Sequence, residues 1–104
     1  MTTTTKEEGI ARALDSYQQW QTRFRRAVRV VSHEMNEFTS EDIVRLVGLP
    51  TGEARMNANN AVGAMMNALG RTGMIEKTGA RRASTRRSSH GAELTVWRRG
   101  RLYV

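Results

Sequence analysis

TSEDIVRLVGLP, residues 39–50, contains one short helix together with both of its ends. Thr39 or Ser40 can cap the N-terminus, and Glu41 and Asp42 fall in the first turn, where the helix dipole favours acids. Ile43, Leu46 and Val47 recur at spacings of three and four and make an apolar face. Gly48 supplies a left-handed stop, and Pro50, the only proline of the chain, prevents the helix from resuming. The spacing predicts a helix over residues 40–47.

Downstream, residues 52–69 predict a third helix. Ala58, Ala61, Val62, Met65, Met66 and Leu69 form its inward stripe, and Gly70 and Gly73 bracket its end. Two short helices joined through GLPTG are a helix-turn-helix candidate. MIEKT (74–78) and ELTVWRR (93–99) then read as an antiparallel hairpin spanning 74–99. Upstream, Ile10, Leu14, Tyr17, Gln21, Phe24, Val28, Val31 and Met35 recur every three or four residues, with Trp20 and Ala27 widening the stripe. They predict a long helix over 9–36, either continuous or broken near Asp15-Ser16. This length exceeds what a small core needs, so the helix is a candidate homodimer surface. Residues 1–8 read as a disordered polar tail and 9–104 as a single domain. The expected class is mainly α with a small antiparallel β-hairpin. Three helices followed by a hairpin is the order of a winged helix-turn-helix, here preceded by a long N-terminal helix.

The charge is unevenly placed. The chain of 104 residues has a net charge of +7. Residues 1–70 carry eight basic and eight acidic side chains, whereas residues 71–104 carry nine basic and two acidic, so the whole excess lies in the last third. Such asymmetry points to a polyanionic partner. The densest part is GARRASTRRSSHG (79–91), where a wing tip belongs. Arg81, Arg82, Arg86 and Arg87, with the hydroxyls of Ser84, Thr85, Ser88 and Ser89, suit phosphate oxygens. An arginine in a minor groove would also sense groove width. His90 can contact phosphate or hold the base of the loop.

On the third helix, the face opposite the apolar stripe shows Arg55, Asn57, Asn60 and Asn67, with Asn59 on a flank. Asparagine is a poor helix former, but it can pair with both N6 and N7 of adenine in the major groove. Arg55, Asn57 and Asn60 lie toward the helix start, the part of a recognition helix that reaches base edges. The bland reading of these asparagines is a solvated face.

TSEDIVRLVGLP, LGRTGMIEKTG and the arginine-serine loop closing in His90-Gly91, followed by Val96-Trp97, resemble the small winged-helix proteins of actinobacterial phages. Thr85, Arg86, Arg87, Ser88, Ser89, His90, Gly91, Val96 and Trp97 carry the resemblance. It covers about residues 38–99 and leaves the long first helix outside. It implies a DNA-binding fold and, with it, a phage or bacterial transcriptional regulator. It implies no particular operator, and it does not separate activation from repression.

Other classes fit less well. The chain has no cysteine, and its two histidines, His33 and His90, are far apart, so neither a metal nor a cofactor is expected. No phosphate loop with a lysine, paired carboxylates or nucleophile set is present, and no enzyme activity is expected. MTTTTKEEG has no apolar core of a signal peptide and no run approaches a membrane span, so the expected address is the cytoplasm, the host's if a phage encodes the chain. Two alternatives remain beside the regulator. The basic loop can engage an acidic host protein, or the chain can bind DNA or structured RNA without regard to sequence.

Overall fold

The computed structural model describes residues 6–50, 57–85 and 92–101, with side chains inside the first helix from residue 16 onward. Three helices precede an antiparallel hairpin: α1 (Lys6–Glu34), α2 (Ser40–Val47), α3 (Ala58–Arg71), β1 (Ile75–Ala83) and β2 (Glu93–Arg99). The protein is thus mainly helical, with a two-stranded sheet at its C-terminal end, and is compatible with a winged-helix-like arrangement.

The first helix is continuous through Asp15-Ser16. It begins at Lys6 rather than Gly9, so residues 6–8, expected as tail, are helical; Glu7 and Glu8 are residue types the first turn favours. It ends at Glu34, where Met35 N–H still bonds to the Val31 carbonyl (2.8 Å). Trp20, Phe24, Ala27, Val28 and Val31 are its buried stripe, and Trp20, marginal in the sequence pattern, is among the most buried side chains. Met35, expected in that stripe, is 40% exposed because the helix has ended before it.

The second helix occupies 40–47 as the sequence predicts. Thr39 is the N-cap, and its N–H donates to the Asp42 carboxylate (2.8 Å). Gly48 ends the helix with φ +75 and ψ −177. This is not the expected left-handed helical conformation but an extended one of positive φ, which is essentially reserved for glycine. Its carbonyl accepts from Trp20 Nε1–H (3.0 Å), joining the end of α2 to the middle of α1.

The six inward residues predicted for the third helix are all buried. The helix runs two residues past the predicted end to Arg71, between the two glycines that bracket it. The chain turns at Gly73, with φ +85. Gly70 has a packing role: a Cβ there would lie 2.9 Å from the Trp97 ring. Trp97 is consequently buried (5% exposed) against α3. Phe38 and Trp97 exchange backbone hydrogen bonds (3.0 and 2.8 Å), so the α1–α2 connection is paired to the hairpin. One cluster that includes Trp20, Phe24, Phe38, Ile43, Met66 and Trp97 therefore holds all three helices and the sheet together.

Candidate nucleic-acid interface

β1 extends well into the arginine-rich segment. Lys77 pairs with Trp97 and Arg81 with Thr95, so Thr78, Gly79 and Ala80 together oppose Val96 in a bulge. Gly79 adopts φ +88 there, and Thr78 Oγ1–H donates to the Val96 carbonyl (3.1 Å) while accepting from Ala80 N–H (3.1 Å). The sequence reads this glycine as the end of the strand. In fact it absorbs the extra residues and the ladder resumes. Arg81 and Arg82 are therefore strand residues, not loop residues, and project on opposite sides of the ribbon.

The upper end of the hairpin is tied to α2. Glu41, only 8% exposed, accepts from the Ser84 hydroxyl, from Thr85 Oγ1–H (2.9 Å) and from Thr85 N–H (3.3 Å). Ser84 N–H bonds across the hairpin to the Ala92 carbonyl (2.8 Å). The sequence places Ser84 and Thr85 on phosphate. A hydroxyl has a single proton to donate, and here both protons go to Glu41. Glu41 itself, which reads as a first-turn acid, is a buried anchor. Arg86, Arg87, Ser88, Ser89 and His90 lie outside the described residues, as does Arg55.

Arg81 donates to the Glu93 carbonyl (3.0 Å) and pairs with its carboxylate (3.2 Å). Both side chains of this pair are more than half exposed, so it contributes little and a phosphate can displace it. Arg98 (2.7 Å) and Arg101 (3.5 Å) share Glu76. Arg82, Arg71 and Arg99 have no carboxylate partner among the described residues.

The outward stripe begins at Asn57, which is the N-cap of α3 and not a residue inside the helix as the spacing predicts, and runs through Asn60, Ala64, Asn67 and Arg71, with every member exposed. At about 1.5 Å per residue it is roughly 21 Å long. Asn59 is off this stripe. It lines a concavity with Ser40, Glu41 and Leu94, beside the anchor of the hairpin. Arg71 belongs to the stripe because the helix extends two residues beyond the predicted bound of 69. Asn67 lies between two depressions. One, of about 210 Å³, is shared with Gly63, Arg81, Glu93 and Thr95, and the other, of about 420 Å³, with Arg71, Lys77 and Trp97. Lys77 extends over the Trp97 ring, 5.7 Å from its centroid. Asn67 and Trp97 line both depressions, so the C-terminal half of the stripe lies beside the strand that carries Arg81, with Glu76 at the far depression.

Among the described residues no group of three His, Cys, Asp or Glu side chains converges as a metal site requires, and no helix is long and apolar enough to cross a membrane. No protein-family model matches the chain, nor does any curated protein or solved structure.

Proposed function

We propose that the chain is a winged-helix DNA-binding protein that regulates transcription. In this reading α3 enters the major groove, and the hairpin places Arg81, Arg82, Arg86 and Arg87 on flanking phosphates or in the adjacent minor groove. The observation that carries it is the division of α3 into two faces. Its inner face is wholly apolar and buried. Its outer face has only short amides, an alanine, a glycine and a terminal arginine. Such a surface lacks the apolar anchors that dominate protein–protein contacts, while its amides can pair with adenine edges. The neighbouring strand supplies the charge that positions a reader on the backbone.

Asn60 and Asn67 lie two turns apart on this stripe and are the base-reading residues in this account. Selection of bound sequences from a random duplex pool should recover a preferred site with the wild type. Asn60→Ala and Asn67→Ala should each relax one or two positions of that site, at a cost of about 1–3 kcal/mol for the preferred base. Their affinity for unrelated duplex should stay unchanged. A wild type that enriches no sequence, but still binds, would make the protein a sequence-independent binder. Capture of an acidic protein in place of DNA would favour the host-protein alternative.

A further inference from the structure

A second cationic surface lies on α1, where the charge totals hide it. Residues 16–33 contain four arginines and no acid. The acids that make residues 1–70 neutral lie elsewhere, and two of them are engaged: Asp42 bonds the N-cap of α2, and Glu41 holds the hairpin. Arg25, Arg26 and Arg29 are exposed and have no carboxylate partner among the described residues. With Thr22 and Met74 they line a concavity of about 270 Å³.

A second chain segment borders this place. Gly100 N–H bonds to the Met74 carbonyl (2.9 Å), and a Cβ at Gly100 would strike the Gly73 carbonyl oxygen, so Arg99-Gly100-Arg101 is held close beside Met74. Arg99 Nη1–H donates to His33 Nδ1 (3.1 Å), one turn beyond Arg29. A guanidinium has no acceptor, so Nδ1 is the accepting atom of this contact. Arg25, Arg29 and His33 with Arg99 therefore form a row along the outer face of α1, about 6 Å per step.

We propose that Arg25, Arg26 and Arg29, with Arg99 at one end, form a second phosphate-binding surface that takes the backbone of the DNA beyond the end of α3. This rests on the DNA-binding reading above. The guanidinium fork matches phosphate geometry, and the buried Met74 gives an apolar floor for a sugar. Met74 lies in the connection that leads from α3 into β1, so the cradle includes the segment that follows α3.

Two measurements test it on the full chain. In a duplex-binding salt series, Arg25→Ala/Arg26→Ala/Arg29→Ala should lower the log–log slope by about 2 to 3, from roughly 0.9 per phosphate contact. The melting temperature should be retained, since the three side chains are exposed. In a titration with inorganic tripolyphosphate followed by NMR, the Nε–Hε signals of Arg25, Arg26 and Arg29 should move. A variant slope equal to that of the wild type, or three stationary signals while those of Arg81 and Arg82 move, overturns the proposal. If the three signals move but the wild type binds no duplex, the DNA reading fails while the phosphate cradle stands.

Discussion

Trp97→Ala is expected to cost about 3–5 kcal/mol, in the range of large buried aromatic deletions. The indole is buried, fills the space left by the missing side chain of Gly70, and comes from the residue whose backbone pairs with Phe38. Its removal loosens the hairpin from α3 and leaves a cavity that Gly70 cannot fill. A domain of this size has a stability of about 5–15 kcal/mol, so the variant should be marginal. In thermal unfolding its midpoint should fall by at least about 12 °C. A fall of less than about 4 °C would mean that Trp97 is not the joint between sheet and helices.

Glu41→Ala is expected to weaken DNA binding about tenfold, against the direction that charge alone dictates. Removing a carboxylate near a bound polyanion reduces repulsion and would by itself tighten the complex. Glu41, however, holds Ser84 and Thr85 where the chain enters the second arginine pair. Without it the end of the hairpin must be ordered on binding, at about 1–2 kcal/mol per residue fixed. The salt slope should stay constant, because no phosphate contact is removed. Anisotropy titrations at fixed salt give the sign directly. Binding equal to or tighter than wild type would show that the clasp does not position the hairpin.

The parts of this fold that were legible in the sequence are those with local signals. The bounds of α2 follow from adjacent start and stop residues, and the buried stripe of α3 follows from spacing alone. Where a residue has a distant reason, the sequence misleads. Gly70 is read only as a marker of the helix end because nothing nearby announces that Trp97 will press on it. Gly79 is read as the end of a strand because a bulge and a turn use the same residue type. Glu41 finds partners 43 and 44 residues away, and no pattern around it separates a buried anchor from a first-turn acid. The arginines of α1 are hidden for another reason: a segment summing to zero charge conceals an acid-free stretch when its acids lie outside that stretch. Of the candidate interface, the asparagines of α3 were readable from periodicity. Arg71 and the fixed strand positions of Arg81 and Arg82 needed the true ends of α3 and β1.

Duplex binding across a salt series, comparing wild type with Arg81→Ala/Arg82→Ala/Arg86→Ala/Arg87→Ala, tests the central claim most directly. If the hairpin grips the backbone, the log–log slope should fall by about 3 to 4 in the variant, from roughly 0.9 per contact. A wild type that binds no duplex even at low salt would contradict the account.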